Sequence, residues 1–286
     1  MTRIIRILPT LVLMTMLSLV YTSCRKEEKK PKNANSAGDN ATAEGAFAGI
    51  WKQVSNVSDS SNVIRAASAG PGTPTTSSGY PVASITPYDL TTWPKTVTID
   101  FGPTNVMGSD YNNRRGLITA VFSGPYQDSG TVITITLTNY YHNDYHIQGT
   151  QTITNKGNNA AGHLVYNVVV SGATVTHPTN GKTATWSTNQ NREFYAGYTT
   201  NFNIFDDVYL ITGTANGVSM EGESYTIATN SALRVNVGCH WIVSGSFTLT
   251  LADYPTYPIV FDYGPGTCDG NATATLDGTT YNITMY

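Results

Sequence analysis

The chain is predicted to be an all-β protein, either an antiparallel β-sandwich or a large twisted antiparallel sheet, with one amphipathic helix near its N-terminus. Apolar and hydroxyl residues alternate with period two through much of residues 95–286, which is typical of half-buried strands. Clusters of Gly, Asn and Asp separate these segments, as turns between antiparallel strands require. Before them, residues 44–67 show the three- and four-residue apolar spacing of a helix.

The N-terminus has the features of a secretory signal peptide over residues 1–23. Arg3 and Arg6 flank the start of an apolar run, and two small residues precede Cys24. This site resembles a bacterial lipobox, so we expect cleavage before Cys24 and attachment of lipid to its thiol. The alternative is cleavage by ordinary signal peptidase, which leaves the thiol free. Residues 24–43 lack apolar periodicity and are predicted to be a flexible tether.

The predicted helix over residues 44–67 is expected to pack on the β domain. Its polar face lacks the lysines that a membrane-surface helix needs. Residues 68–94 are rich in Pro, Gly, Ser and Thr and are predicted to be a loop. Residues 95–286 are predicted to form the antiparallel β domain.

A hairpin is predicted around Asn143. A three-residue loop over residues 143–145 keeps like faces together and opposes Ile135 to Ile153. Strict alternation then places Tyr140 and His142 with the threonines on the hydroxyl-rich face. Two further turns are predicted, at Asn216-Gly217 and at residues 244–246.

Charge and composition narrow the class of function. The chain has 16 basic and 19 acidic residues, loses Arg3 and Arg6 with the signal peptide, and is only 12% charged. This balance argues against a nucleic-acid-binding surface, which needs a basic stripe. The sequence contains no phosphate-binding loop, Gly-Xaa-Ser-Xaa-Gly elbow or His-Glu-Xaa-Xaa-His motif. No cofactor is predicted and no catalytic residue is assigned.

Tyr140, Tyr141 and Trp186 are the candidate glycan-stacking residues, because sugars pack their apolar ring faces on aromatic side chains. The same aromatic residues are also suited to bracing cross-strand pairs.

His142 and His146, directly opposed in the predicted hairpin, are candidate metal ligands with Asp144 nearby. Solvated histidines at a turn are the alternative. A hydrolase needs two carboxylates roughly 5–10 Å apart, and the candidates for such a pair are Asp206-Asp207 with Glu221 and Glu223. The alternative, which the predicted strand spacing favours, is that these carboxylates are solvated residues at strand ends.

Cys239 and Cys268 are the only cysteines after Cys24. In an oxidising compartment they either form a disulfide, worth about 3–4 kcal/mol on the loop-entropy model, or remain a buried apolar residue and a free loop thiol.

Several segments occur in an order similar to that of a functionally uncharacterised family of Bacteroidota surface lipoproteins. The segments are residues 93–102 (WPKTVTIDFG), 113–118 (NRRGLI), 139–141 (NYY), 206–208 (DDV), 241–245 (WIVSG) and 264–269 (GPGTCD). The resemblance implies a β-rich lipoprotein anchored to outer-membrane lipid through Cys24 and facing the cell exterior. The leading functional hypothesis is a non-catalytic module that binds or scaffolds a glycan or an envelope or host protein. The alternatives are a surface hydrolase acting on polysaccharide and a purely structural envelope component.

Overall fold

The computed structural model describes residues 35–60, 80–197 and 204–284. The predicted signal peptide, Cys24 and the end of the predicted helix over residues 61–67 lie outside this part of the chain. The described residues form α1 (Asn35–Ser60), a 3-10 helix (Ile204–Asp206) and strands β1 (Val82–Thr86), β2 (Lys95–Asp100), β3 (Val106–Met107), β4 (Asn113–Phe122), β5 (Val132–His142), β6 (Tyr145–Asn158), β7 (Leu164–Thr176), β8 (Thr183–Ala196), β9 (Val208–Val218), β10 (Ser224–Asn236), β11 (Ile242–Leu251), β12 (Ile259–Pro265), β13 (Asn271–Leu276) and β14 (Thr279–Thr284).

All fourteen of these strands belong to one open antiparallel sheet. Strands that follow one another along the chain are neighbours in the sheet, except that β2 pairs with β4 and the short β3 pairs with β4 alone. This arrangement confirms the all-β prediction in its single-sheet form. Antiparallel neighbours need only short connections, in agreement with the turn residues between the predicted strands.

Helix α1 lies across one side of the sheet. Its N-terminal part contacts the β9–β10 turn, where Ser36 Oγ donates to Glu223 Oε2 at 3.1 Å. Further along, Asn40 Oδ1 accepts a hydrogen bond from Trp186 Nε1 of β8 at 2.8 Å. Gly49 then lies against His142 at the end of β5. The helix therefore runs across the strands from β9 toward β4, and we call the side of the sheet that it covers the helix side.

The predicted start of the helix at residue 44 is wrong, because α1 begins at Asn35. Residues 35–43, predicted as tether, have low helix propensity. Tertiary contacts stabilise them as helix: Ser36, Asn40 and Ala43 are buried, and Asp39 Oδ2 accepts the Met220 N–H at 2.6 Å. Most helical stability in proteins comes from such packing rather than from propensity.

The core lies between α1 and the helix side of the sheet. Helix residues Phe47, Ile50 and Val54 are almost fully buried there, as expected from their spacing. Aliphatic and aromatic residues of the strands form the rest of the core. The same side also carries buried polar residues, among them Gln151, Asn155, Thr188 and Gln190.

The predicted three-residue loop of the hairpin is wrong. Asn143 and Asp144 form a two-residue turn, and both have positive φ, as a type I′ turn requires. The register then shifts by one residue between Thr136 and Tyr141, so Ile135 pairs with Gln151.

The shift is a bulge at Asn139, whose φ is 47°. On β4, a Cβ added to Gly116 would lie 2.0 Å from the Asn139 carbonyl oxygen, so only glycine allows the two strands to approach there. One extra residue reverses which side of the sheet the following side chains face. This reversal turns Tyr140 and His142 to the helix side.

Other boundaries also differ from the predictions. β9 continues through Asn216 and Gly217, and the turn is at residues 219–223. β10 and β11 are joined at residues 237–241, whereas the predicted bend at 244–246 is a register irregularity opposite β12. β8 is one continuous strand of 14 residues. The predicted loop over residues 68–94 contains β1.

Within the described residues, no helix is long and apolar enough to cross a membrane.

Candidate binding site beneath the helix

Two of the three predicted glycan-stacking residues are buried. Tyr140 is 0% exposed and Trp186 is 3% exposed. Tyr140 packs edge-on against Phe101, and Trp186 stacks on Phe47 of the helix with the ring centroids 5.5 Å apart. The surface role predicted for these two residues is therefore wrong. Tyr140 was assigned to the surface because the sequence does not reveal the bulge at Asn139. Trp186 was assigned to the surface because polar residues flank it on the same face of β8, although that face is buried.

Tyr141 lies on the opposite side of the sheet, but its ring is engaged. The Arg115 guanidinium lies 3.7 Å from the ring centroid, and the His146 ring stacks at 4.6 Å. These two residues come from the strands on either side, in register with Tyr141. Tyr141 thus braces three neighbouring strands, which was the alternative to glycan stacking.

The predicted opposition of His142 and His146 is also wrong. His142 pairs with Tyr145, and Tyr141 pairs with His146, so the two histidines face opposite sides of the sheet. Asp144 Oδ1 instead accepts a hydrogen bond from Asn105 Nδ2 and forms an ion pair with Arg115. The described residues contain no group of three or more His, Cys, Asp or Glu side chains suited to hold a metal ion.

The candidate carboxylates of a hydrolase do not meet. Glu221 forms an exposed ion pair with Lys182 at 2.7 Å, and Glu223 accepts the hydrogen bond from Ser36. Asp206 and Asp207 lie at the other end of β9, and eleven strand residues extend about 35 Å. The catalytic separation of roughly 5–10 Å is therefore excluded for these pairs.

Cys239 and Cys268 form a disulfide, with their Cα atoms 5.8 Å apart. It joins the β10–β11 turn to the segment after β12. Beside that segment is a pocket of about 400 Å³ whose lining includes Asp262, Asp269 and Asn282. Both aspartates accept backbone N–H groups of their own turns.

A cluster of interacting polar side chains lies beneath the N-terminal half of α1. We define the helix-side cleft by Glu44 of the helix, Gln190 and Arg192 of β8, Tyr166 of β7 and Ile211 of β9. Tyr166 and Ile211 are the cross-strand partners of Arg192 on its two sides. Residues two apart on β8 face the same side, so Gln190 and Arg192 point together toward the helix.

Glu44 organises the polar groups of the cleft. Gln190 Nε2 donates to both carboxylate oxygens, at 2.8 and 3.1 Å. The nearest Arg192 nitrogen is 3.8 Å from the carboxylate. Burial raises the pKa of Tyr263 on β12 to about 12, and the charge of Glu44 acts in the same direction. Tyr263 is therefore a neutral hydroxyl at pH 7.

The helix-side cleft is not among the sites predicted from the sequence. Glu44 is separated from Gln190 by 146 positions, and nothing in the sequence joins them. One signal was present, because Gln190 and Arg192 share a strand face with Trp186. A buried tryptophan would have indicated that the polar residues on the same face also point inward.

A second buried polar cluster lies against the middle of the helix, at Gly49. Arg114 is 1% exposed and forms two hydrogen bonds with the Asp110 carboxylate, at 2.8 and 2.6 Å. His142 is its cross-strand neighbour. A Cβ added to Gly49 of the helix would lie 3.2 Å from the His142 ring and 3.4 Å from Arg114. The small Gly49 thus lets α1 approach both side chains.

This cluster predicts a pH-dependent stability. The pKa of His142 is lowered from its usual 6.5 to about 4, chiefly by burial and also by the charge of Arg114, while Asp110 opposes the shift. Between these two values the unfolded chain binds more protons than the folded chain. The free energy of unfolding should therefore decrease as the pH falls from 6.5 to 4, by at most about 3 kcal/mol.

Urea unfolding measured across this pH range checks the prediction. His142→Gln should flatten the profile, whereas the control His146→Gln, on the other side of the sheet, should keep the wild-type slope. A His142→Gln profile as steep as that of the wild type would assign the pH dependence to other groups.

The described residues form an antiparallel β protein with a cluster of polar side chains between its helix and its sheet. Comparison with protein-family models, with curated proteins and with solved structures finds no significant match.

Proposed function

We propose that this chain is a lipid-anchored cell-surface protein whose β domain is a non-catalytic binding module for a glycan. The observation that carries the binding role is the helix-side cleft. There, Gln190 Oε1 and Arg192 Nε are buried and have no hydrogen-bond partner among the described residues. Buried polar groups normally have partners, and ligand sites combine apolar walls with a few polar groups of this kind.

A glycan suits the chemistry of this cleft better than an apolar ligand. The amide of Gln190, the carboxylate of Glu44 and the guanidinium of Arg192 can all bond to sugar hydroxyl groups. Tyr166, paired with Arg192 across the strands, stacks one face of its ring on Tyr126, and the other face is the one proposed to pack on a sugar ring. The sequence analysis assigned the aromatic contact with the sugar to Tyr140, Tyr141 and Trp186. We assign it instead to Tyr166 in this cleft.

The anchoring part of the proposal rests on the sequence. The lipobox-like residues 20–24 support lipidation of Cys24, and the charged residues that follow support export to the outer face of the outer membrane. Residues 24–34 then supply the tether between the lipid and the start of α1. A disulfide between Cys239 and Cys268 suits an extracytoplasmic protein.

A glycan-array screen tests the proposal. The probe is the mature chain, residues 24–286, with Cys24→Ser to keep it soluble, together with the same protein carrying Glu44→Gln or Arg192→Met. We expect at least one glycan to bind, and each cleft variant to weaken its binding about tenfold or more, since a polar contact to a charged group contributes roughly 1.5–3 kcal/mol.

Lys182→Met is the matched control, because Lys182 carries the same charge change on the exposed β7–β8 connection. It should bind as the unsubstituted protein does. Failure to bind any glycan would contradict the proposal and favour a protein partner or a structural envelope role. Release of shortened oligosaccharides would instead favour the hydrolase alternative.

A further inference from the structure

Arg192 is a largely buried cation with incomplete pairing. Its side chain is 21% exposed, and it makes no hydrogen bond with any residue in the described ranges. The nearest carboxylate oxygen, on Glu44, is 3.8 Å away, beyond hydrogen-bond distance. Its Nε is fully buried. Burying a charge is costly unless the charge is both paired and hydrogen-bonded, so this guanidinium retains the capacity to bind an anion.

Gln190 explains why Glu44 does not complete the pairing. The Gln190 amide nitrogen donates to both oxygens of the Glu44 carboxylate. The carboxylate is therefore directed at Gln190 and stays beyond hydrogen-bond distance of the Arg192 guanidinium. The Gln190 side chain is itself 8% exposed, and its carbonyl oxygen has no partner among the described residues. The cleft thus offers a cationic donor and a neutral acceptor two residues apart on one strand face.

These groups are complementary to a particular class of ligand. A carboxylate accepts the N–H groups of a guanidinium through short, charge-assisted hydrogen bonds. A hydroxyl group on the same ligand can donate to the Glu44 carboxylate, whose side chain is 32% exposed. Tyr166 and Ile211 flank Arg192 and can contact the apolar face of a ring that carries both groups.

We propose that the helix-side cleft selects acidic sugars, that is, sugars bearing a carboxylate, through Arg192. This inference rests on the proposed glycan-binding function and adds the ligand class. The neighbouring tyrosines are compatible with it, because burial raises the pKa of Tyr225 and of Tyr263, and neither adds a negative charge near the bound carboxylate.

Calorimetric titration with a matched pair of probes tests the inference. Trigalacturonic acid is compared with its methyl ester, which keeps the ring and hydroxyl groups but removes the charges. The protein is the mature chain with Cys24→Ser. We expect the acid to bind at least about tenfold more tightly than the ester, and Arg192→Met to remove the difference. Arg192→Lys should retain part of it, because the charge remains while the planar guanidinium is lost.

The control Lys182→Met should keep the full preference for the acid, and circular dichroism verifies that each variant is folded. Equal binding of the acid and the ester, or a preference that survives Arg192→Met, overturns the assignment of acidic sugars but leaves the proposed glycan binding intact. If only neutral glycans of the array bind, the acidic-sugar assignment is overturned and the proposed glycan binding is supported. An array without any bound glycan overturns both proposals.

Discussion

Trp186→Ala is expected to lower the free energy of unfolding by about 3–5 kcal/mol, the range for large aromatic residues in cores. Trp186 is 3% exposed, stacks on Phe47 and donates its indole N–H to Asn40. The substitution removes the ring from the core and also leaves the buried Asn40 amide without this donor. Because both contacts are with α1, the helix should separate from β8 first.

Equilibrium unfolding in urea measures the loss of stability. Trp186→Phe separates its causes, since it keeps an aromatic ring beside Phe47 but removes the hydrogen bond to Asn40, with an expected loss of about 1–3 kcal/mol. Tyr141→Ala, an aromatic truncation on the other side of the sheet, is the control and should cost less. A Trp186→Ala variant no less stable than Tyr141→Ala would contradict the buried position of Trp186.

Asp110→Ala is expected to destabilise the protein by about 3–5 kcal/mol, as is usual when one partner of a buried ion pair is removed. Asp110 accepts two hydrogen bonds from Arg114, and the paired guanidinium holds the pKa of this carboxyl well below its usual range. Without Asp110, Arg114 remains as an uncompensated charge beneath Gly49 of the helix.

The double variant Asp110→Ala with Arg114→Met identifies the cause. Replacing both members of a buried pair by apolar groups is often close to neutral, so the double variant should recover most of the stability lost by Asp110→Ala. Urea unfolding of the two single variants and the double variant completes the thermodynamic cycle. A double variant as unstable as Asp110→Ala would assign the loss to the turn around Asn112, which Asp110 also contacts.

The strands and their antiparallel order could be predicted because they depend on local patterns. The alternation and the hairpin predicted around Asn143 identified β5 and β6 as antiparallel neighbours. The turn at Asn216-Gly217 was predicted wrongly from equally good local signals. The turn lies at residues 219–223, where Gly222 has positive φ and donates its N–H to Ser219. Asp39 of α1 also accepts the Met220 N–H there, and no local pattern contains that contact.

The candidate site was less predictable than the fold. Tyr140 was assigned to the exposed face because alternation was extended through Asn139, where a single bulge reverses the side. Trp186 was assigned to the surface because its neighbours are polar. Thr188 and Gln190 are nevertheless buried, since their hydrogen bonds to Thr214 and Glu44 offset the loss of water.

The sequence by itself determined the strand content, the antiparallel connectivity and the presence of an N-terminal helix, because hydrophobic period and turn chemistry act over a few residues. Only the tertiary structure decided which side of the sheet is buried beyond Asn139, where the helix begins, and that Glu44 meets Gln190 and Arg192. These features depend on register shifts and on contacts between distant segments. A register change of one residue reverses the side of the sheet that every following side chain faces. The change at Asn139 depends on Gly116 of the neighbouring strand, because only glycine leaves room for the bulge.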